Sequence, residues 1–209
     1  MSIRYYEGQR LFLRPIEPED EPLLRRWIND PECWRTLGRF RPVNRPRERE
    51  YIEGLYRQPD EVAFGIVVRE SERLIGVAGL RCSDPANRAA EFGILIGEAA
   101  FRSRGYGTEA TRLVARYGFD ELNLNRIGLS VCGDNRRAVR AYRRAGFREE
   151  GRRREAYFRN GRYHDELCFG LLRREWSQPS SSTASQAGDK DEESAPLASM
   201  TTWSTSLMT

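Results

Sequence analysis

The sequence is poor in the residues that mark many metal and nucleophile sites. It has one histidine, His164, in 209 residues, so a metal site built from several histidines is excluded. No Gly-x-Ser-x-Gly elbow is present, and a Ser-His-Asp triad would have to use that same histidine. The four cysteines form no Cys-x-x-Cys pair and lie mostly in apolar runs, at Cys33, Cys82, Cys132 and Cys168. We therefore expect buried, reduced thiols and no metal.

Long apolar runs and lysines are missing as well. No stretch of about 18 apolar residues, the length needed to cross a membrane, is present. The N-terminus MSIRYYEGQR lacks the apolar core of a signal peptide, so we expect a cytoplasmic location and no membrane partner. Lys190 is the single lysine among 35 basic residues. The others are arginines, whose forked guanidinium group suits phosphate; a GC-rich codon usage is the alternative explanation for most of them.

The C-terminal part differs sharply in composition from the rest. From Ser177 to Thr209 the chain is rich in Ser, Thr, Ala and acidic residues and shows no apolar periodicity. Such a segment cannot bury enough apolar surface to offset the entropy lost on ordering, so we predict that residues 177–209 form a disordered tail. The tail carries four acidic residues and one lysine, a net charge of −3. Because the whole chain has a net charge of +4, residues 1–176 carry +7. We predict that residues 1–176 form one domain.

The periodicity of this domain alternates between strand and helix patterns. Strands are predicted at Arg10–Arg14, Val62–Val68, Leu74–Leu80, Ala90–Ile96, Arg126–Val131, Arg154–Arg159 and Arg162–Leu172. Helices are predicted from Glu17 to the Asp30-Pro31 pair, from Pro46 to Arg57, from the glycine-bearing loop near residue 105 through Tyr117, and from Asn135 to Ala145. Asn135 and Gly146 suit the ends of the last helix, and Asn160-Gly161 predicts a hairpin. This order predicts an α+β, or mixed α/β, domain with a single sheet covered by helices.

The stretch FRSRGYGTEA, residues 101–110, places two glycines between an apolar strand and a helix. A helix start exposes unpaired backbone N–H groups at the positive end of the helix dipole, and Gly105 and Gly107 let the backbone approach a ligand closely. A phosphate or pyrophosphate fits such a loop. A P-loop is excluded because no Gly-Lys-Ser/Thr follows. Two alternatives stay open: a turn without a ligand, and a dinucleotide site, since Gly105-x-Gly107-x-x-Ala110 fits that fingerprint although residues 97–104 separate it from the strand.

Two motifs in this region resemble the signatures of one enzyme family. Arg102-x-x-Gly105-x-Gly107 is similar to the acetyl-CoA signature, Gln/Arg-x-x-Gly-x-Gly/Ala, of the GNAT superfamily of N-acetyltransferases. The family's second signature, Asn-x-x-Ala-x-x-x-Tyr-x-x-x-Gly-Phe, matches at Asn135, Ala138, Tyr142, Gly146 and Phe147. The resemblance covers residues 8 to 174 or so, and it looks closest to the branch that acetylates ribosomal-protein N-termini, spermidine, antibiotics or amino sugars.

The resemblance implies a central, splayed, mostly antiparallel sheet of about seven strands flanked by helices, with acetyl-CoA in the opening between the fourth and fifth strands. Backbone amides of the loop would hold the pyrophosphate, at Arg102, Ser103, Arg104, Gly105, Tyr106, Gly107 and Thr108. The side chains of Arg102 and Arg104 would add positive charge, and Asn135 would hydrogen-bond the pantetheine arm or a nearby group. The N–H groups of Ile94 and Leu95 would polarise the thioester carbonyl, freed by a bulge at Gly93.

Acetyl transfer to an amine needs a base and an acid. An amine is mostly protonated at neutral pH, and Glu91, on the same predicted strand as Ile94, is our candidate for removing its proton through water. A solvated or salt-bridged strand carboxylate is the alternative. The departing thiolate must be protonated, and the resemblance assigns this role to Tyr142 as general acid. Without the resemblance, Tyr142 would be an aromatic residue on the buried stripe of its helix.

The acceptor site of this family lies between the N-terminal helices and the last hairpin. In this sequence those segments carry Trp27, Trp34, Tyr157 and His164, which together would form an aromatic and polar mouth. Packing in the core or at the surface is the alternative for each of them. The mouth shows no obvious cluster of carboxylates, which argues against spermidine as the first choice. A protein or peptide N-terminus and a small-molecule amine both stay open.

Two other functions compete with acetyl transfer. A non-catalytic CoA-binding regulatory module would keep the loop and lack turnover. A nucleic-acid-binding protein would use the arginines of the second motif, but no recognised nucleic-acid motif is present, and these arginines would equally meet the 3′-phosphate of CoA. We therefore expect an acetyl-CoA-dependent N-acetyltransferase. Its expected partners are the amine acceptor and, if it forms a homodimer, a second copy of the chain, with no nucleic acid.

Overall fold

The computed structural model describes residues 3–37, 41–57 and 59–176. Within these ranges eight strands form one sheet: β1 (Tyr6–Glu7), β2 (Leu11–Arg14), β3 (Glu61–Val68), β4 (Arg73–Asp84), β5 (Ala89–Ile96), β6 (Arg126–Cys132), β7 (Arg148–Arg159) and β8 (Arg162–Leu172). The helices in the same ranges are α1 (Glu21–Asn29), α2 (Pro31–Leu37), α3 (Arg45–Gly54), α4 (Tyr106–Asp120), α5 (Arg136–Ala145) and α6 (Arg173–Trp176). None of these helices is long and apolar enough to cross a membrane. The predicted tail, residues 177–209, lies outside the described residues.

The strands of the sheet follow the order β1-β2-β3-β4-β5-β6-β8-β7. Every neighbouring pair is antiparallel except β5 and β6, which run parallel with α4 between them in sequence. The predicted mixed class with a mostly antiparallel sheet is confirmed. The strand missing from the prediction is β1, whose two residues are too few to produce a sequence pattern.

The two faces of the sheet carry separate apolar cores. α4 and α5 cover one face, where Val114 is fully buried. α1 and α3 cover the other face, where Trp27 is buried. Because successive side chains on a strand point to opposite faces, β5 contributes to both cores: Phe92 belongs to the first, and Leu95 packs against the second. β5 therefore gives side chains to the helices on either face.

The sheet opens between its two parallel strands. β5 pairs with β6 only over Ala89–Glu91, opposite Arg126–Gly128. It stays paired with β4 as far as Ile96. From Phe92 onward, one backbone edge of β5 therefore faces the space between the strands instead of β6. Because β1 adds one strand to the expected count, this is the opening that was predicted between the fourth and fifth strands.

Two local predictions need correction. The Asp30-Pro31 pair ends α1 as predicted, but Pro31 also begins α2, because proline is well suited to the first position of a helix. β7 begins at Arg148 and not at Arg154. Its first nine residues are exposed, so no apolar alternation marks them in the sequence, and pairing with β8 defines the strand.

The predicted caps and the hairpin turn are confirmed. The Oδ1 atom of Asn135 accepts a hydrogen bond from the N–H of Ala138 at 3.2 Å, at the start of α5. Gly146 ends that helix with a φ of 106°. Asn160 and Gly161, with φ of 51° and 77°, form the two-residue turn between β7 and β8. These residues have the backbone conformations that their positions in the sequence predict.

The four cysteines carry free thiols, as predicted. Cys33 and Cys132 are buried, whereas Cys82 and Cys168 are half-buried. Burial raises the pKa of Cys33 to about 11, so its side chain is a neutral thiol at neutral pH.

Candidate active site

A cavity of about 600 Å³ lies at the opening of the sheet. Its walls come from β5, from the loop and first turn of α4, from α5 and, on the other side, from α1, α2 and α3. The volume is within the range of small-molecule and cofactor sites. Both predicted signatures and the N-terminal helices therefore border one space, which reaches both faces of the sheet through the opening.

The loop before α4 presents uncapped backbone N–H groups. α4 begins at Tyr106, directly after Gly105, and no side chain caps its start. The N–H of Glu109 bonds to the carbonyl of Gly105 at 3.1 Å, so the three N–H groups before it have no partner within the helix. Ser103, with a φ of 61°, and Gly105, with a φ of 85°, both adopt the left-handed conformation that helps to converge N–H groups on an anion. The geometry suits a phosphate group.

The two glycines of the loop are explained by different constraints. Gly105 has a positive φ, which favours glycine, and an added Cβ would come within 3.2 Å of Arg10 Nη2. Gly107 has no such constraint, because an added Cβ would meet Ile96 Cγ1 at an ordinary 3.8 Å. Ser103, Gly105, Gly107 and Thr108 line the cavity. Packing within the protein therefore does not account for Gly107, whose added side chain would extend beside the cavity.

The Arg102 side chain bonds to other groups of the protein, although we expected its positive charge to contribute to phosphate binding at the loop. Its Nε donates to the carbonyl of Ile96 at 2.9 Å, and Nη2 donates to the carbonyl of Gly97 at 2.8 Å. Its Nη1 atom forms an ion pair with Glu32 at 2.7 Å, and the side chain is only 8% exposed. The guanidinium group is thus neutralised between the end of β5 and α2.

Arg104 and Tyr106 are not among the residues that line the cavity. Arg104 is exposed, and its carbonyl accepts a hydrogen bond from Arg10 Nη1 at 3.1 Å. The Tyr106 ring lies against Phe101 and below the Arg10 guanidinium group. At these two positions a phosphate would therefore contact the backbone N–H groups and not the side chains.

Tyr142 lines the cavity from α5 and is held by aromatic neighbours. Its ring packs against Phe92, Phe147 and Phe169, with centroids 6.2 to 6.4 Å apart. Burial raises the pKa of Tyr142 to about 12, so the phenol keeps its proton at neutral pH. Asn135, which caps the same helix, also lines the cavity. The phenol therefore carries a proton that it can donate, although its raised pKa makes it a weaker acid than a free tyrosine.

Glu91 lies at the point where the sheet begins to open. It occupies the last β5 position that pairs with β6, lines the cavity and is 5% exposed. Burial raises the pKa of its carboxyl group, although Arg81 and Arg153 oppose the shift. A carboxylate with a raised pKa is a stronger base than an exposed one.

Gly93 does not form the predicted bulge. The register between β4 and β5 runs without interruption from Leu80–Phe92 to Gly76–Ile96, and its irregularity lies near Cys82 and Asp84. The free backbone edge of β5 results from the separation of β6 instead. Ile94 and Leu95 line the cavity along this edge.

The structure brings two of the four predicted acceptor residues to the cavity. Trp27 and Tyr157 line it, although Trp27 is 2% exposed and donates a hydrogen bond from Nε1 to Glu98 at 2.9 Å. Burial, and then the Glu166 carboxylate to which the hydroxyl donates, raises the pKa of Tyr157. Tyr157 is therefore an uncharged phenol at the cavity wall.

The other two predicted acceptor residues are not among those lining the cavity. His164 instead contacts Asp134 Oδ2 through Nδ1 at 2.7 Å and the carbonyl of Arg159 through Nε2 at 3.2 Å. Trp34, on α2, is half-buried below the Arg35 guanidinium group. His164 thus connects β8 to the segment between β6 and α5, and neither residue lines the described cavity.

The sequence interpretation named Glu91 and the arginines of α5 but missed the other glutamates that line the cavity. Glutamates line it from α2, α3, β3 and β5, at Glu32, Glu48, Glu50, Glu61 and Glu91. Arginines line it from α5, at Arg137, Arg140 and Arg144. The acidic residues are scattered over 60 positions between residues 32 and 91, so only the fold brings them together. Within the described ranges, no three His, Cys, Asp or Glu side chains are grouped so that they could hold a metal ion.

Comparisons with known proteins agree with this geometry. Residues 10–148 match the family model described as an acetyltransferase (GNAT) domain. The chain is 38% identical to the "Putative ribosomal N-acetyltransferase YdaF" of Bacillus subtilis (strain 168), over 81% of this chain and 94% of that protein. It is 33% identical to the spermidine N(1)-acetyltransferase of Escherichia coli (strain K12), over 78% of this chain and 87% of that protein.

A solved structure gives the same result. The crystal structure of spermidine N-acetyltransferase from Vibrio cholerae, in complex with CoA and spermine, is similar with a TM-score of 0.75 and 27% sequence identity. The match covers 82% of this chain and all of that chain. The likeness therefore extends over the whole of that chain and most of this one.

Proposed function

Because the chain belongs to the GNAT acetyltransferase family and transfers an acetyl group from acetyl-CoA to an amine, we propose that its acceptor is an amine with a further positive charge, such as a polyamine. We call the loop at residues 101–108, together with α4 and α5, the donor side of the cavity. Helices α1, α2 and α3 form the acceptor side. The family therefore favours acetyl transfer over a non-catalytic CoA-binding module and over nucleic-acid binding.

The separation of charge within the cavity carries this proposal. All five glutamates of its lining lie on α2, α3, β3 and β5, whereas three arginines lie on α5. Glu32 and Arg102 neutralise each other, which leaves four of the five glutamates against Arg47, the one basic residue of α3 in the lining. A positively charged acceptor is therefore attracted to one end of the cavity, and the phosphates of CoA to the other.

The names of the relatives include two acceptor classes. Spermidine is named for the E. coli and V. cholerae proteins, and ribosomal protein for the B. subtilis one. The sequence had argued against spermidine because the mouth showed no cluster of carboxylates. The glutamates that the fold assembles remove that objection, and they favour the polycationic acceptor.

The chemistry uses Glu91 as base and Tyr142 as acid. The ammonium group of the acceptor loses a proton to Glu91, directly or through water, and the lone pair of the resulting amine attacks the thioester carbonyl carbon. The carbon–sulfur bond then breaks, the thiolate takes the phenol proton of Tyr142, and the second proton of the attacking nitrogen passes to the Tyr142 phenolate, directly or through water. The products are the acetylated amine and CoA with a free thiol. Backbone N–H groups of β5 near Ile94 and Leu95 would stabilise the oxyanion of the tetrahedral intermediate.

A thiol-release screen with acetyl-CoA tests the acceptor. The panel contains spermidine, spermine, putrescine, peptides with neutral or basic N-terminal sequences, aminoglycosides and amino sugars. We expect kcat/KM to be highest for amines with two or more positive charges and to fall with rising salt, since the attraction is electrostatic. Turnover confined to peptides without further positive charge would refute a polycationic acceptor.

A further inference from the structure

Arg102 joins the two sides of the cavity through a single residue. Its backbone begins the loop that follows β5, and its side chain extends to α2. Nη1 contacts Glu32 Oε2 at 2.7 Å, and Nη2 contacts Cys33 Sγ at 3.0 Å. The same guanidinium group bonds to the carbonyls of Ile96 and Gly97, which end β5. A movement of the loop or of α2 would therefore displace the Arg102 side chain.

The helix α2 is held by α1, by the second apolar core and by Arg102. In the described part of the chain it spans seven residues, and its one buried residue, Cys33, packs in the second core. Nη2 of Arg102 contacts the Cys33 sulfur at 3.0 Å. Asp30, which precedes the helix, faces the same nitrogen at 3.9 Å. The residue that begins the donor loop is thus one of the anchors of α2.

The two ends of this link differ in strength. The bonds to Ile96 and Gly97 are buried with the Arg102 side chain, whereas Glu32 is 71% exposed. An ion pair with so exposed a partner contributes little to stability, while loss of a buried guanidinium group leaves two carbonyls without a donor. Replacing Glu32 with glutamine therefore removes the charge at the α2 end of the link, while the Nη2–Cys33 contact and the bonds at the end of β5 remain.

We infer that Arg102 is a positioning residue that couples the donor loop to α2, so that CoA in the loop orders the acceptor side of the cavity. This inference rests on the proposed placement of CoA at residues 101–108. Coupling between two sites is reciprocal, so an ordered α2 with a bound acceptor also favours CoA binding. Glu32 and Cys33 line the cavity, which places the coupled helix at the acceptor wall.

Hydrogen exchange of the full chain, with and without CoA alone, tests the coupling. Calorimetry first establishes that wild-type protein binds CoA. In the wild type we expect CoA to slow exchange in peptides covering residues 30–37 at least fivefold. In Glu32→Gln we expect CoA binding close to wild type and a smaller slowing in these peptides, because the Cys33 contact and a neutral hydrogen bond then join Arg102 to α2. Glu53→Gln, an exposed glutamate of α3 outside the cavity lining, is the matched control and should behave as wild type.

The outcomes separate the inference from the function on which it rests. Absence of CoA binding by the wild type would overturn the donor site itself. Binding without slower exchange in residues 30–37 would overturn the coupling alone. Equal slowing in Glu32→Gln would show that α2 responds to CoA by another route and would also overturn it. Arg102→Gln, compared with Arg49→Gln on the exposed face of α3, gives a second test: the shorter amide should bind CoA and fail to protect α2.

Discussion

The donor and acceptor sides of the cavity are built in different ways. On the donor side, the loop is fixed by backbone conformation and by Arg10, which donates to Glu109 Oε2 at 2.8 Å and to the carbonyl of Arg104. Glu109 also accepts from the N–H groups of Arg10 and Leu11, at 2.7 and 3.2 Å. On the acceptor side, the helices pack on the sheet through the second apolar core, and charged side chains, notably Arg102 and Glu98, link them to the end of β5.

Under the proposed function, this difference reflects the ligand that each side recognises. A pyrophosphate is the same in every acetyl-CoA molecule, and backbone N–H groups recognise it whatever side chains surround them. An acceptor amine is recognised by charged side chains, which can change without altering the fold. The donor side is therefore visible as a sequence motif, and the acceptor side is visible only when the fold assembles it.

The largest effect should come from removing the phenol on the donor side. Tyr142→Phe keeps the ring packed against Phe92, Phe147 and Phe169 and removes the acid, so we expect kcat to fall by about 10²–10⁴-fold with CoA affinity unchanged. Steady-state thiol release and calorimetry measure the two quantities. Because the pKa of Tyr142 is raised to about 12, wild-type activity should show no falling limb below about pH 10. A variant rate within twofold of wild type would exclude Tyr142 as the acid.

A larger side chain at Gly107 should weaken CoA binding without destabilising the fold. Gly107→Val places a side chain in the cavity, where the first added atom meets Ile96 at 3.8 Å, and valine has a higher helix propensity than glycine. We expect the Kd for CoA to rise at least tenfold without loss of thermal stability. Gly151→Val is the control, since its added Cβ meets nothing within 4 Å and Gly151 does not line the cavity. Unchanged CoA affinity in Gly107→Val would place the pyrophosphate elsewhere.

Glu98 tests how the acceptor side is attached to β5. Burial by itself would raise the pKa of Glu98, but the Trp27 indole N–H and the guanidinium groups of Arg26 and Arg73 lower it overall. The folded-state pKa is thus below the unfolded value of about 4.3, and the stabilisation is complete above that value and lost as the pH falls through the lowered pKa.

The corresponding variant is Glu98→Gln. We expect it to lower the free energy of unfolding by about 1–3 kcal/mol at pH 7, with the difference from wild type shrinking towards pH 3. Urea unfolding at both pH values measures it, with Glu53→Gln as an exposed control. A difference of equal size at pH 7 and pH 3 would mean that the charge of Glu98 is not the cause.

The smallest effect should come from an exposed charge on the acceptor side. Glu50 lines the cavity from α3 and is exposed, so its attraction for a cationic acceptor is weakened by solvent. Glu50→Gln should raise the acceptor KM about two- to fivefold, an effect reduced at high salt, while the Kd for CoA stays constant. A changed Kd for CoA with a constant acceptor KM would reverse the assignment of the two sides.

Much of the fold was predictable because local signals agreed with tertiary structure. The cap at Asn135, the left-handed Gly146 and the Asn160-Gly161 turn each depend on a few neighbouring residues, and the structure has them as predicted. α2 was missed because Pro31 was interpreted only as the end of the preceding helix. The exposed start of β7 was missed because its position depends on β8 and not on its own apolar pattern.

The candidate site was predictable only in part for the same reason. The glycine loop and Tyr142 carry signatures along the chain, whereas the glutamates of the acceptor wall belong to four different elements. The sequence also does not show in which direction a long side chain extends. Arg102 is part of the loop motif, yet its guanidinium group bonds to Glu32, seventy positions earlier. The bulge expected at Gly93 was wrong because strand separation, a property of the whole sheet, frees the β5 edge.

The polar edge strand β7 has a consequence for behaviour at high concentration. It lies at the end of the sheet, is exposed along nearly all of its 12 residues and carries the run Arg152-Arg153-Arg154. An exposed edge strand is a template on which strands of other molecules can pair, and charged side chains there oppose such pairing. The arginines of β7 thus protect the protein against edge-to-edge aggregation, a role separate from catalysis.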